Sequence, residues 1–189
     1  MLGFSRGRKL AKIGLDAQDT AEPFFDEVPV PRADLLGEQG RGLSYLMRNL
    51  AIERMSVTVT AMSSMERTLD HTLAYTRQRR AFGRAIAEFQ HNRFVLAELA
   101  TQIQVARVFV DRCVAEIVTG TLRPEVAAMA KLWTTELQQT VVHRCLQLYG
   151  GYGYMREYPV AGDFLDARVT TLYAGTSEIM KEIIARALP

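Results

Sequence analysis

The chain has 189 residues, 48% of them hydrophobic and 23% charged, with a formal net charge of +2. That length supports one well-packed domain with at most a small appendage, and the nearly balanced charge leaves no electrostatic footprint for nucleic acid or an anionic membrane. No apolar run reaches the roughly 20 residues that span a bilayer, and the basic start MLGFSRGRKLAKIG lacks the continuous apolar stretch of a signal peptide.

Residues 1–38 have their own texture. Three of the six prolines, Pro23, Pro29 and Pro31, fall there. The stretch AEPFFDEVPVPRADLLG reads as short strand pieces and turns. Two or three strands alone are marginal in water. The segment therefore looks like the tail of something larger, expected to be partly disordered or paired in a way of its own.

From residue 39 to 189 the period is helical. A first helix is expected over about 41–77. Leu46, Leu50, Glu53, Val57 and Thr60 share one face of it, and Ile52, Met55, Val59 and Met62 cover another. A helix apolar on nearly every side is a buried one, so Glu53 is expected on a dry face. Two readings follow: a buried ion pair with Arg54, or a general base whose pKa burial raises above its ordinary value of about 4.3.

Next, Leu96, Leu99, Ile103, Ala106, Val110, Cys113 and Ile117 alternate in steps of three and four, the seam of a helix in a bundle. Gly120 closes that helix and Pro124 opens another. The third runs over 124–149 with Ala130, Leu137, Val141, Cys145 and Leu148 inward, and breaks at YGGYGY. Cys113 and Cys145 are isolated thiols within helices, and His71, His91 and His143 lack metal-ligand spacing. The thiols fit a reducing cytoplasm, the expected location. Finally, LYAGTSEIMKEIIARAL turns at Gly175, offers Thr176 or Ser177 as N-cap, and puts Glu178 in the first turn of a helix.

YTRQRRAFG (75–83) followed by Gln90, LQLYGGYGYMREYPV (146–160) and DARVTTLYAGTSEIM (166–180) resemble the flavin-dependent acyl-CoA dehydrogenase family in order and spacing. KIGLDAQDTAEPFFDEVPVPRADLLGEQGRG (12–42) resembles the end of that family's middle β-domain. The resemblance implies a mainly α fold: an antiparallel four-helix-bundle-type C-terminal domain with a short N-terminal β remnant. It implies FAD as cofactor and α,β-dehydrogenation of an acyl-CoA thioester to a trans-2-enoyl-CoA. Most members carry the base on the residue before the C-terminal Gly-Thr, which here is Ala174, unable to take a proton. A long-chain and isovaleryl-like subgroup carries it on the first long helix before an arginine, which here is Glu53, followed by Arg54.

By the same resemblance Ala174 and Gly175 meet the thioester, with the backbone N–H of Ala174 as donor and Arg54 ordering the loop around it. Arg79, Phe82, Gln90, Gln147 and Gly151 reach the FAD of a partner subunit, while Thr176 and Glu178 touch the FAD of their own. Implied partners are acyl-CoA, an electron-transfer flavoprotein as acceptor, and a homodimer or homotetramer. The family's usual chain is roughly twice as long, so a hetero-oligomer with a chain supplying the remaining domains is also implied, and with it a truncated or split enzyme. Leu165 and Gly162 stand where arginines are usual. The alternatives are an acyl-CoA oxidase and a non-catalytic assembly module.

Overall fold

A computed structural model describes residues 2–189. The chain divides into two compact units, Met1–Asn49 and Leu50–Pro189.

In the first unit, β1 (Phe4–Lys9) and β2 (Ala21–Phe25) pair antiparallel, with Phe4 opposite Phe25 and Arg6 opposite Pro23. The expectation of partial disorder gives way to this hairpin. Cross-strand contacts hold it: the Phe4 and Phe25 rings lie 5.2 Å apart, and Lys9 pairs with Asp19. Gly3 has φ +76°, and a Cβ there would sit 2.1 Å from the Asp26 carbonyl oxygen, so only glycine closes the strand end.

Helix α1 (Gly42–Gln78) crosses the division between the units. The second unit continues with a two-residue hairpin, β3 (Arg80–Ala81) and β4 (Arg84–Ala85), then α2 (Gln90–Val118) and α3 (Pro124–Tyr149). Two shorter helices follow, α4 (Pro159–Ala167) and α5 (Ser177–Arg186). The fold is mainly helical, as the spacing predicts. Pro124 takes the first turn of α3, where its missing N–H leaves nothing unpaired. Gly150, with φ +58°, ends that helix.

The core is assembled from three faces: Met62, Met65 and Leu69 of α1, Leu96, Leu99, Ile103 and Val110 of α2, and Leu137, Val141, Cys145 and Tyr149 of α3. Two details of the expected seams differ, since Ile117 and Leu148 are only half-buried.

Helix α1 departs further from expectation. It is not apolar all round, and Glu53 is not on a dry face. The buried stripe runs through Arg54, Met55, Thr58, Ala61, Met62, Met65, Thr68, Leu69 and Thr72, while Ile52, Glu53, Val59 and Thr60 are exposed. The reason is rotational. Residues three and four apart share a face, and Glu53 falls outside the row 54-58-61-65-68-72. That row carries threonines because each can satisfy its hydroxyl within its own helix: Thr58 donates to the Arg54 carbonyl (2.9 Å), Thr68 to that of Ser64 (2.8 Å) and Thr72 to that of Thr68 (2.7 Å). Asp163 of α4 is the buried carboxylate of this region. It accepts from Thr68 Oγ1 (2.7 Å) and pairs with Arg67.

Leu99 is fully buried in the seam. Leu99→Ala is expected to destabilise the fold by about 3 kcal/mol, measured by urea denaturation, with exposed Val105→Ala as a near-neutral control. Cys113 and Cys145 are buried, and burial pushes both thiols above their ordinary value of 9.0. Neither is expected to react with a disulfide reagent at pH 8 until the chain is unfolded. The same shift means that stability from these groups is intact below about pH 9 and declines above it, where the unfolded chain alone sheds the protons.

Candidate active site

The chain enters the AGTSE turn from a short 3-10 stretch, Arg168–Thr171. Ala174 has φ +52° and Gly175 φ +99°. A left-handed alanine costs roughly 1–2 kcal/mol, so something must hold it. Three tethers do. The Nζ of Lys131 donates to the Gly175 carbonyl at 2.7 Å. Ser177 Oγ donates to Glu136 Oε1. Thr176 Oγ1 accepts from the Ile179 N–H at 3.4 Å, which makes Thr176 the N-cap of α5. Two of the three come from α3, five residues apart.

Lys131 is fully buried. Burial pushes its ammonium below the ordinary lysine value; Glu136 and Glu178 oppose that shift, and Arg54 adds to it. Arg54 is 7% exposed, and its Nε is buried without a hydrogen-bond partner among the described residues. Burial lowers its pKa, against the attraction of Glu53. The two neighbours on α1 thus point to different places: Arg54 inward towards the lysine, Glu53 outward. The alternative of a buried Glu53–Arg54 ion pair does not hold, because the carboxylate is exposed. The exposed Glu178 carboxyl is held below its usual range by a backbone N–H at the start of α5 and by the Thr176 hydroxyl. It lines a small recess of about 240 Å³ with Glu136, Gln139, Arg168 and Ser177.

A larger cleft, about 770 Å³, opens where α1 ends, α2 begins and α3 stops. Its lining includes Tyr75, Arg79, Asn92, Gln147, Gly151 and Tyr152. Tyr75 stacks on Tyr149 at 4.0 Å, and the Arg79 guanidinium lies 5.0 Å above the Tyr152 ring. A Cβ added at Gly150 or Gly151 would meet nothing within 4 Å, so the backbone there is open to close approach. Of the predicted dinucleotide residues, Arg79, Gln147 and Gly151 converge on this cleft. Phe82 and Gln90 do not line it. Phe82 is at the β3–β4 turn, 95% exposed with φ +51°, and Gln90 opens α2.

Sequence reasoning missed Lys131, Glu136, Tyr75 and Asn92. For Lys131 a signal existed: a lone cation in AAMAKLWTT, on the face of Ala127, Ala130 and Thr134.

A bundle whose C-terminal turn and glycine-lined cleft are built this way matches the family model "Acyl-CoA dehydrogenase, C-terminal domain" over residues 40–188. The chain belongs to the acyl-CoA dehydrogenase family, whose members are FAD-dependent oxidoreductases. It is 50% identical over 188 residues to the long-chain specific acyl-CoA dehydrogenase, mitochondrial, of Sus scrofa, covering 100% of this chain and 44% of that protein. A crystal structure of acyl-CoA dehydrogenase from Geobacillus kaustophilus superposes with a TM-score of 0.95 at 49% identity, covering 98% of this chain and 49% of that one. A structure described as the electron transferring flavoprotein of Acidaminococcus fermentans superposes with a TM-score of 0.94 at 34% identity, covering 99% and 49%. The chain spans about half the length of the curated relatives it matches.

The turn's geometry is testable by stability. Gly175→Ala forces a side chain to φ +99° and sets a Cβ 2.7 Å from Met180 Cε. A loss of about 1–3 kcal/mol is expected in thermal denaturation.

Proposed function

We propose that the chain is the helical half of an FAD-dependent acyl-CoA dehydrogenase in which Glu53 removes the α-proton of an acyl-CoA thioester. The observation that carries this reading is the neighbourhood of Arg54. Arg54 is buried, and the next residue, Met55, packs in one cluster with Ala127 and Ala130 of α3, next in sequence to Lys131, which holds the Gly175 carbonyl. The segment of α1 bearing a carboxylate thus packs on the part of α3 that holds the turn where the usual carboxylate is replaced by Ala174.

The chemistry divides among this chain's residues. Glu53 accepts the proton. Its exposed position on α1 leaves the carboxylate open to an incoming thioester. The Ala174 N–H donates to the thioester carbonyl as negative charge develops on it, a role that needs only the peptide. Arg54 orders the loop beside the thioester. FAD held by Arg79, Gln147 and Gly151 would supply the acceptor for the hydride that leaves the β-carbon.

Arg79, Gln147 and Gly151 fit the dinucleotide. A guanidinium resting on an aromatic ring keeps its N–H edge free for phosphate, and paired glycines admit a close backbone contact. Phe82 and Gln90, at the exposed hairpin and the start of α2, would reach the same cofactor across a dimer or tetramer. Thr176 and Glu178 would contact the cofactor of their own subunit. Residues 1–38 are assigned to the end of a β-domain and 39–189 to the helical domain. An electron-transfer flavoprotein is the proposed acceptor; direct use of oxygen would make the protein an acyl-CoA oxidase.

A second reading has its own support. Phe94, Val105, Val108 and Val118 of α2 are exposed apolar side chains, which suits a non-catalytic assembly module or one partner of a split dehydrogenase.

The test is Glu53→Gln in protein supplied with FAD. Wild type is expected to purify yellow and to reduce an acceptor dye with acyl-CoA, and the variant to stay yellow while turnover falls by about 10²–10⁴-fold. A colourless oligomer without turnover on a sizing column favours the assembly module. Unchanged turnover in the variant removes Glu53 from the chemistry.

A further inference from the structure

Lys131 has no part in the proposed chemistry, yet it heads the fully buried side chains by volume. A cation out of water needs strong compensation. Here its hydrogen-bond acceptor is a main-chain oxygen, that of Gly175. The charges acting on it are mixed: Glu136 and Glu178 attract, Arg54 repels. Around it on α3 are Ala127, Ala130, Thr134 and Thr135, and both threonines donate to main-chain carbonyls of their own helix, Thr134 to that of Ala130 and Thr135 to that of Lys131, so neither hydroxyl proton is directed at the ammonium. What the ammonium holds is the second of two successive left-handed residues, the first of them a strained alanine.

We propose that Lys131 is a positioning residue: its ammonium, by gripping the Gly175 carbonyl, fixes the left-handed Ala174–Gly175 turn and so aims the Ala174 N–H. This rests on the reading of Ala174 as the thioester donor. The device suits its place. A carboxylate-bearing side chain before the glycine could help order the turn through its own contacts, whereas Ala174 offers one methyl group. Orientation must then come from below, through a charge-assisted hydrogen bond stronger than a neutral one. Ser177 and Glu136 secure only the far side of the turn.

The experiment is amide relaxation by NMR on the chain, wild type against Lys131→Met. Order parameters at Ala174 and Gly175 are expected near 0.85 in wild type and below about 0.6 in the variant, with Ile103 and Val141 unchanged. A turn that stays rigid in the variant overturns the proposal, and so does equal loosening of the whole bundle, which would make the lysine merely structural. A measurement on wild type alone covers a variant that fails to fold: a Lys131 ammonium that titrates and exchanges like that of exposed Lys181 also overturns it. In FAD-loaded protein, Lys131→Met is expected to lower kcat on the order of 10- to 100-fold with KM nearly unchanged, and Lys131→Arg to restore part of it. A loosened turn with undiminished kcat overturns the positioning role. Loosening of the turn in a protein whose wild type shows no turnover leaves the brace standing and tells against the Glu53 chemistry instead.

Discussion

The second unit depends on the enclosure of α3. This helix packs against α2, α4, α5 and the 3-10 turn that follows it, and 13 of its 26 residues are buried. A helix enclosed that way must be filled with small, apolar or self-satisfied residues. Ala127, Ala128, Ala130, Val141 and Val142 meet the first demand; Thr134 and Thr135, bonded back to their own carbonyls, meet the second. Gln138 is met by the Thr170 hydroxyl at 3.0 Å. Lys131 is the one buried charge of the helix. The buried face can carry such a group because the Gly175 carbonyl accepts its hydrogen bond, and it places the amine under the C-terminal turn.

The two candidate site regions follow from how α3 behaves at different points along its length. In its first half, Lys131 and Glu136 reach towards α5 and hold Gly175 and Ser177. At its end, Tyr149 stacks on Tyr75 and the helix yields to Gly150 and Gly151, where the cleft opens. One helix therefore sets both the turn assigned to the thioester and the cleft assigned to the dinucleotide, and a substitution that shifts α3 along its axis moves both.

Much of this was legible in the sequence, for physical reasons that can be named. The 3-4 seam of α2 reports burial on one face, and every residue in it from Leu96 to Cys113 is buried. Pro124 and Gly150 bound α3 because each acts through its own backbone. Arg79, distant in sequence from Gln147 and Gly151, lines one cleft with them. The failures share a different cause. The rotation of α1 depends on which neighbours it meets, and hydrophobic side chains on two faces made Glu53 look enclosed when the actual buried row is threonine-rich. Lys131 stood out only as a lone cation in AAMAKLWTT; its role was not legible because its partner is a carbonyl 44 residues away, and no sequence pattern advertises a main-chain acceptor. The strand character of residues 4–25 was legible but their ordered pairing was not, because cross-strand contacts such as Phe4 with Phe25 depend on register, which composition does not reveal.

The way α1 is held differs along its length. Near residues 66–75 it is pinned to other helices by polar contacts: Glu66 to Arg107, Thr68 to Asp163, Tyr75 to the Tyr149 carbonyl. Between 54 and 65, among the described residues, its side-chain hydrogen bonds stay within the helix, and the grip comes from Met55, Met62 and Met65. Methionine is the most pliable of core side chains. The carboxylate of Glu53 thus rides on the adaptable end of a lever whose other end is bolted down. Exchanging thioether packing at Met55, Met62 or Met65 shifts Glu53 while leaving the turn and the cleft as they are.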